Sequence, residues 1–452
     1  MPLVAAFLVM CCAIFYLMVN TGQIAVEKTR VLNAADAAAY SAGVVQARGL
    51  NYAAYANRAI VANQVAIAQT LSMTNFLNHA ASVYTATDGA GNGIRDLSQG
   101  LAWATPPDNV DPHARLSGLL VGSLIAQYYG YDPDEFVEYI DGINGVAAGF
   151  IQASNAASVM LDSSVVSVLG ARAATLLERS QAIASRVASE MDPALQAVVN
   201  PVGGGVGPIV RRYSDDERAR LQGVVLASLD DVVRQRGWTS YSVAARPLRV
   251  GLIRRGATWM PNLDSWASFD SLSYRSITRR RFGIPRFGET RIAGANATAG
   301  EDSDGSFYYR GDGSSNSSSG RDTDRHIDGF DAAYYSGMAS AYDVDDPANR
   351  EPTQHRAGLS VWVRKGKSDT NTAGHNPAFS PAGRLAVFSE TPVVDQLSGI
   401  ARAEVLFMRP PRPDGRNEYP NLFNPFWTVR LVSPSATDYA MYGAAAVLRY
   451  WN

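Results

Sequence analysis

The stretch from Pro2 to Val19 reads PLVAAFLVMCCAIFYLMV and contains no charged or strongly polar side chain. As an α-helix, a run of this length spans about 27 Å, close to the thickness of a bilayer's hydrocarbon core. Such a helix satisfies its own backbone hydrogen bonds within lipid. We therefore predict a transmembrane anchor over residues 1–22, with a large body on one side of the membrane.

A cleaved secretory signal and a buried helix of a soluble protein are the two alternatives for this stretch. The apolar part of a signal peptide usually spans about 7–15 residues behind a basic start, whereas this run is longer and no basic residue adjoins Met1. Asn20, Thr21 and Gly22 make a poor cleavage site. The missing basic residue is also unusual for an anchor, which leaves open that native residues precede Met1.

Charge and cysteine content bear on the side of the membrane that holds the body. The first charges after the anchor are Glu27, Lys28 and Arg30, and the positive-inside rule alone would keep them in the cytoplasm. The cysteines, Cys11 and Cys12, both lie within the anchor. The body therefore has no disulfide framework and no cysteine-based zinc site, which suits an oxidising compartment.

Composition indicates that the body folds into more than one compact part. Hydrophobic residues make up 46% of the chain and charged residues 18%, which is typical of a globular protein. The net charge of −2 gives no overall attraction to nucleic acid. The length of 452 residues exceeds what one core usually supports. We predict an α+β fold with helices in the first half and a β-rich distal domain.

The first half of the body reads as helix. Residues 23–82 are rich in alanine, the best helix former, and contain no proline. In the helical region 83–200, Asp132 and Pro133 form a typical helix start, and Pro193 marks the end of the same helix.

The second half begins with a linker over residues 201–212, followed by a domain over residues 213–452. Ser214 and Glu217 have the spacing of a capping box, which predicts a helix that runs to Arg236. Beyond it the apolar period changes toward two, which is typical of strands. The predicted strands are Tyr241–Leu252, Leu359–Val363, Ala401–Phe407 and Phe426–Val432, with an acidic, serine-rich loop at residues 301–320 and a closing helix over Asp438–Tyr450.

The sequence GQIAVEKTRVLNAADAAAYSAG, from Gly22 to Gly43, resembles the N-terminal region of TadE/TadG-like proteins. These proteins belong to the tight-adherence (Flp) pilus systems of bacteria. In that family a transmembrane helix is followed by a short polar turn and then by an alanine-rich pattern, which this chain matches from Leu32 to Ala39. The resemblance implies helix packing or partner contacts at Asn33, Ala35, Asp36, Ala38 and Ala39.

A second stretch, from Ala401 to Leu431, resembles the C-terminal signature of longer TadG-related proteins. The residues that carry this resemblance are Glu404, Arg409, Pro410, Tyr419, Pro420, Asn424, Pro425 and Trp427. One feature of pilins is missing, since no acidic residue precedes Glu27. The chain is therefore similar to the TadG-related branch, for which neither processing nor polymerisation into a pilus is expected.

Motifs that would indicate a catalytic or metal centre are weak or missing in the sequence. Asp302–Gly305 resembles the start of a calcium loop, but its glycine comes too early. Arg310–Asp312 is an RGD tripeptide, a match that arises often by chance. His326 and Asp328 lie close enough in sequence to suggest a metal pair, although a surface histidine is the simpler interpretation. The sequence contains no HExxH, no G-x-S-x-G and no P-loop motif.

These features predict a non-enzymatic protein without a cofactor that is anchored in the bacterial inner membrane by one helix, with its body in the periplasm. The expected partners are the lipid bilayer and pilin-like or pilus-assembly membrane proteins, with no nucleic acid. Two other functions remain open: an envelope adhesion or binding module outside a pilus system, and a membrane-tethered hydrolase with an unrecognised site.

Overall fold

The computed structural model describes a large part of the chain. The described residues are 2–85, 133–199, 209–242, 248–279, 285–300, 326–332, 335–345, 355–366, 369–370, 396–409 and 418–449. The predicted loop at residues 301–320, most of the predicted linker and Pro410 lie outside these ranges.

The first helix, α1, runs without interruption over Pro2–Thr85 and includes the predicted anchor and the alanine-rich segment. Among the described helices, it contains the one stretch that is long and apolar enough to cross a membrane. That stretch has a mean hydropathy of 2.4 and is not buried within the protein. Leu3, Phe7 and Phe15 are each more than 60% exposed, as expected for side chains that face lipid.

The second helix, α2, spans Pro133–Met191, in agreement with the predicted start and end. Proline fits the first helical position because its missing N–H would have no partner there. The helix ends two residues before Pro193, which cannot continue a helix.

The later elements are β1 (Leu195–Val199), β2 (Val210–Arg212), α3 (Asp215–Ala227), α4 (Asp231–Arg234), β3 (Arg236–Ser242), β4 (Leu248–Asn262), β5 (Ser265–Arg279), β6 (Pro285–Ala299), β7 (His326–Ala332), β8 (Tyr342–Val344), β9 (Ala357–Gly366), β10 (Gln396–Phe407), β11 (Trp427–Val432) and α5 (Ala436–Arg449). The predicted α+β class is confirmed.

The chain forms two compact units, each assembled from separated segments of sequence. The first unit comprises Met1–Asn57, Ser163–Arg212 and Tyr342–Asn452. The second unit comprises Arg58–Asp162 and Tyr213–Ala341.

The first unit contains a four-stranded sheet in the order β1-β9-β10-β11, with every neighbouring pair antiparallel. One face of this sheet packs against alanines of α1 and α2 in a single apolar core. On α5, the ring of Tyr442 lies 5.5 Å from that of Trp362 of β9. The Tyr442 hydroxyl donates a hydrogen bond to the Ser360 carbonyl oxygen of the same strand at 2.9 Å.

The second unit contains a five-stranded sheet in the order β3-β4-β5-β6-β7. Neighbours from β3 to β6 are antiparallel, whereas β6 and β7 are parallel. The segments of α1 and α2 that belong to this unit contribute buried residues such as Ile67, Leu71 and Ile151.

Several predicted elements differ from the structure. Residues 195–199, at the end of the predicted helical region, form the strand β1, and residues 210–212, within the predicted linker, form the strand β2. The helix predicted to reach Arg236 ends at Ala227, and a separate turn, α4, follows because Asp230 adopts an extended conformation and caps it. The predicted capping box is present: the Glu217 carboxylate accepts hydrogen bonds from the Ser214 amide and hydroxyl. The strand predicted over Tyr241–Leu252 is divided between β3 and β4, which pair with each other, since periodicity cannot reveal where a strand turns back.

The other predicted strands are confirmed with small changes in their ends. The segments Leu359–Val363 and Ala401–Phe407 lie within β9 and β10, and the last predicted strand begins one residue later, at Trp427. The closing helix is present as α5.

Candidate interaction site on the first helix

The alanine-rich segment of α1 packs on the four-stranded sheet of its own chain. Val31, Ala34, Ala35, Ala38, Ala39 and Ala42 are fully buried and share one core with Leu359, Val361 and Val363 of β9 and with Ala401 and Ala403 of β10. Small side chains allow the helix backbone to approach the sheet closely. At Gly43 an added Cβ would lie 2.8 Å from Val429 Cγ1 of β11, so this contact requires glycine.

The structure separates the five predicted contact residues of α1 into two groups. Ala35, Ala38 and Ala39 are fully buried in the core of the first unit, so within this chain they serve internal packing. Asn33 and Asp36 lie on the exposed side of the helix, which also presents Leu32 and Tyr40. A partner at this helix would therefore contact the Asn33 and Asp36 side, and the prediction of such contacts stays a prediction.

Enlarging a buried alanine of α1 is expected to destabilise the first unit. Ala38→Leu forces three extra carbons into a filled space, which we expect to cost about 1–3 kcal/mol, whereas Asn33→Leu on the exposed side should change stability by less than about 0.5 kcal/mol. Hydrogen exchange of β9 and β10 amides would measure both effects. Equal protection in the two variants would contradict the assigned packing.

Three charged side chains meet where α1 leaves the predicted membrane-spanning stretch. Lys365 Nζ of β9 lies 2.8 Å from Glu27 Oε2 of α1 and 2.6 Å from Asp192 Oδ2, directly after α2. Glu27 is the first charged residue of the chain. The Lys365 and Glu27 side chains are 4% and 5% exposed, so their charges depend on each other rather than on water. We call these three residues the ion cluster.

Mutual contact explains the pKa shifts in the ion cluster. Burial works against the charged form of Lys365, but the hydrogen bonds to Asp192 and Glu27 outweigh it and raise the pKa of the ammonium above 10.5. The hydrogen bond from Lys365, helped by the Ala194 amide, lowers the pKa of Asp192 below 3.8. At neutral pH both groups therefore stay charged.

We expect the contribution of Asp192 to stability to disappear in acid. Because its folded pKa lies below the ordinary 3.8, the contribution is complete above that ordinary value and is lost as the pH falls through the lower folded value. Lys365 has the opposite sign, with a contribution that is lost only as the pH rises through a folded pKa above 10.5. Asp192→Asn should therefore lower stability by about 1 kcal/mol at neutral pH, and its effect should shrink as the pH falls through the lowered folded pKa of Asp192.

Urea unfolding of the detergent-solubilised chain, followed by tryptophan fluorescence at neutral and acid pH, would test this expectation. Glu190→Gln is the control, since Glu190 is 63% exposed and pairs with Arg186 on the surface. A difference between Asp192→Asn and the wild type that persists unchanged in acid would contradict the assignment.

Two asparagines of α1 bind the backbone of the C-terminal part of the chain. The Asn51 side-chain amide donates to the Trp427 carbonyl oxygen at 2.9 Å and accepts from the Trp427 amide at 3.0 Å. The Asn57 amide donates to the carbonyl oxygens of Tyr342 and Leu422, both at 2.7 Å. The helix that follows the anchor is therefore joined to the segment that carries the C-terminal signature.

Most residues of that signature stabilise the segment around β11. Trp427 is buried, and its ring Nε1 donates to the Asn421 carbonyl oxygen at 3.1 Å. Glu404 of β10 forms an ion pair with Arg430 at 2.8 Å. Arg409 forms an ion pair with Glu418, and its guanidinium lies 4.9 Å from the centre of the Phe426 ring. Asn424 donates hydrogen bonds to the side chains of Asn421 and Glu418.

The other signature residues differ in exposure. Pro420 is buried, Pro425 is half-buried and Tyr419 is 40% exposed. No sequence motif includes Asn51, Asn57, Asp192 or Lys365. The rarity of lysine, with three in the chain, was the one signal that pointed to Lys365.

The first part of α1 matches a known family of proteins. Residues 1–48 match the Tad family, described as Flp pilus-assembly TadE/G-like. The match supports the resemblance seen in the motif, and it indicates a role related to the Tad pilus. No curated protein and no solved structure matches the chain.

The Tad segment, residues 1–48, ends within the sheet-packed part of α1. It contains the apolar membrane-spanning candidate, Glu27 of the ion cluster and the alanines that face β9 and β10. The apolar helix and the Tad match together indicate membrane anchoring. The other two residues of the ion cluster, Lys365 and Asp192, lie outside the Tad segment.

The second unit contains a separate buried polar cluster on β3, β4, β5 and α1. Asp270 is fully buried, and its carboxylate accepts from Arg236 at 2.9 and 3.1 Å and from Arg254 at 3.3 Å. Asn75 of α1 donates to the same carboxylate at 2.7 Å. The Arg254 guanidinium lies 4.8 Å from the ring centre of Phe76.

Burial and the two arginines act on Asp270 in opposite directions. Burial favours the neutral acid, but the charges of Arg236 and Arg254 outweigh it and hold the pKa of Asp270 below 3.8. Burial also favours the neutral form of Arg254 and therefore lowers its pKa, although the negative charge of Asp270 acts in the opposite direction. The cluster therefore keeps a charged carboxylate between two guanidinium groups inside the unit.

Neither cluster has the set of side chains that a metal ion needs. Among the described residues, no group of three or more His, Cys, Asp or Glu side chains lies close enough together to hold a metal ion. His326 and Asp328, which the sequence placed close together as an alternative to a surface histidine, belong to β7, and their side chains lie outside the described residues. The arrangement in the first unit is suited to holding a membrane-anchored helix on a sheet.

Proposed function

We propose that the chain is a non-enzymatic, membrane-anchored component of Flp (Tad) pilus assembly or of a related secretion apparatus. It lies in the bacterial inner membrane with its body in the periplasm. The observation that supports this role best is the position of the Tad segment, which is both the candidate membrane span and the helix that packs on the four-stranded sheet.

The ion cluster and the asparagine contacts support a mechanical role for α1. A helix that enters the membrane as a flexible tether would not need buried charges at its exit, because such charges are costly when unpaired. Here Glu27 is held by Lys365, and Asn51 by the backbone of Trp427. The sheet of the first unit is therefore held at a fixed height and orientation relative to the anchor.

A fixed sheet leaves one side of α1 available for a partner. The buried side is filled by the protein's own core, whereas Leu32, Asn33, Asp36 and Tyr40 face outward. We infer that pilin-like or pilus-assembly membrane proteins contact this outward side next to the membrane. A change there affects binding and leaves the core intact.

Co-purification of the full chain from detergent-solubilised native membranes, with bound proteins identified by mass spectrometry, tests this function. We expect recovery of Tad pilus-assembly or pilin-like proteins, reduced about tenfold by Asp36→Arg, equivalent to about 1.4 kcal/mol. Arg186→Asp, on the exposed surface of α2, is the control. Recovery of unrelated envelope proteins would favour an adhesion or binding module, and recovery of the chain alone would contradict the proposal.

The position of the body can be tested separately because both native cysteines lie in the anchor. In a chain with Cys11→Ala and Cys12→Ala, a single Arg186→Cys places a thiol at a side chain that is 73% exposed. A membrane-impermeant maleimide should label this thiol in cells with a permeabilised outer membrane. Labelling that requires disruption of the inner membrane would place the body in the cytoplasm.

A further inference from the structure

The first half of α2 presents apolar side chains to the outside of the second unit. Val146 is 76% exposed, Met160 72% and Tyr139 67%. These residues belong to a set with alternating spacings of four and three, the pattern of a coiled-coil contact line. We call this set the α2 seam: Tyr139, Ile143, Val146, Phe150, Ala153, Ala157 and Met160.

The α2 seam is distinct from the face with which α2 packs into its own unit. Ile140, Ala147, Ile151 and Ser158 are buried on an adjacent face of the helix. An amphipathic helix of a globular unit needs one such buried face. The second, exposed apolar face therefore has no role in the packing of the described part of the chain.

Three glycines lie directly beside the seam. Gly142, Gly145 and Gly149 each precede a seam residue by one position and have the same spacing. Glycine destabilises a helix relative to alanine, and at all three positions an added Cβ would meet nothing within 4 Å. By contrast, at Gly49 of α1 an added Cβ would meet Leu176 at 2.8 Å. The open space along α2 is what a closely approaching second helix requires.

The charges along the seam favour one kind of occupant. Glu135, Glu138 and Asp141 are exposed near the start of α2, and the sequence from 133 to 170 contains no lysine or arginine. A second copy would bring acidic residues together, and an anionic lipid surface would repel them. A helix flanked by lysine or arginine would be attracted instead.

We propose that the α2 seam is the docking surface for an α-helix of a second protein, with small apolar residues facing the glycines and basic residues facing Glu135 and Glu138. The two helices pack side by side in coiled-coil fashion. The identity of this second protein as another Tad pilus-assembly component rests on the proposed function above.

Site-specific photo-cross-linking in the full chain tests the docking surface. A benzophenone amino acid replaces Val146 in one chain and Met160 in another, and cells that carry the pilus system are irradiated. We expect both positions to cross-link to one Tad pilus-assembly protein, within a helix that has lysine or arginine beside its apolar face. The matched control places the same photo-reactive residue at Arg220, an exposed position on α3, where no such product is expected.

Glycine substitutions separate docking from folding. Gly145→Leu is expected to leave the urea unfolding midpoint unchanged or raised, since leucine favours helix and its Cβ would meet nothing within 4 Å, and to lower the cross-linking yield about tenfold. Gly223→Leu on α3, where an added Cβ also meets nothing within 4 Å, should leave the yield unchanged. Glu138→Lys should lower the yield in the same way as Gly145→Leu.

Other outcomes overturn the proposal. These are a cross-link within the same chain, to a second copy or to lipid, no cross-link from either position, or a yield that Gly145→Leu does not change. The proposed function is judged separately by co-purification. If pilus-assembly proteins still co-purify while the seam does not cross-link to them, the docking surface is wrong and the function stands.

Discussion

Replacing Asp270 with asparagine is expected to lower the free energy of unfolding of the second unit by about 3–5 kcal/mol. Asparagine has nearly the same shape but no charge. The change leaves two guanidinium groups, Arg236 and Arg254, in a place where their side chains are 3% and 0% exposed. The cost arises from these uncompensated charges more than from the lost hydrogen bonds.

The two arginines do not depend on Asp270 equally. Arg236 also donates to Ser72, Thr258, Ser268 and the Val233 carbonyl oxygen. Arg254 has the ring of Phe76 on one side. We therefore expect the double variant Asp270→Asn, Arg254→Met to be more stable than Asp270→Asn alone, because it removes the guanidinium that has fewer other hydrogen bonds.

Urea unfolding of the detergent-solubilised chain, with hydrogen exchange of β4 and β5 as the local measurement, would test this expectation. Asp231→Asn is the matched control, since its carboxylate is 90% exposed and pairs only with nearby Arg234 in the described contacts, so it should change stability by less than about 0.5 kcal/mol. An Asp270→Asn protein as stable as this control would refute the ion network in the second unit.

Replacing Lys365 with methionine is expected to destabilise the first unit by about 3 kcal/mol. Methionine keeps the length of the side chain but removes the charge that faces Glu27 and Asp192. Breaking a buried ion pair usually costs about 3–5 kcal/mol. We expect the lower end of that range because Arg30 still lies 3.3 Å from Glu27 and the Asp192 side chain is 22% exposed. The first effect should be a loss of contact between α1 and the end of β9.

A double-mutant cycle would isolate the contribution of the pair. Glu27→Gln combined with Lys365→Met should be less destabilising than the sum of the two single changes, because the residues are in direct contact. Lys28→Met is the matched control, because Lys28 is exposed and its ammonium donates to the Ser398 carbonyl oxygen at the surface rather than to a buried acid; it should have little effect. Hydrogen exchange of β1 and β9 would report the local stability, and additive effects would contradict a direct pair.

Much of the secondary structure was predictable because its causes are local. The apolar run from Pro2 to Val19, the alanine content of residues 23–82 and the prolines at 133 and 193 each act within a few residues of where they stand. The helices therefore begin and end close to the predicted positions. The break between α3 and α4 was missed because it depends on Asp230 leaving the helical conformation just before Arg236 enters its buried ion pair.

The candidate site was only partly predictable because its contacts join distant residues. The motif on α1 and the C-terminal signature were recognised as two separate stretches, and no sequence pattern showed that Asn51 binds Trp427, 376 residues away. The alanines of α1 were expected to pack against another helix, either of a partner or of the same chain, and Ala35, Ala38 and Ala39 fill the protein's own core. Small residues predict close packing but do not identify what packs against them.

The sequence by itself determined the apolar membrane-spanning candidate, the two long helices, the strands β9, β10 and β11 and the Tad segment, because apolar length, helix propensity, proline and alternation act through the local backbone. Only the tertiary structure decided which charges are buried together and which side of α1 stays exposed. Glu27 and Lys365 lie 338 residues apart, and their pairing follows from the β9 and β10 register and from the packing of alanine against that sheet. Long-range pairing of this kind depends on the whole fold, so no short stretch of sequence contains it.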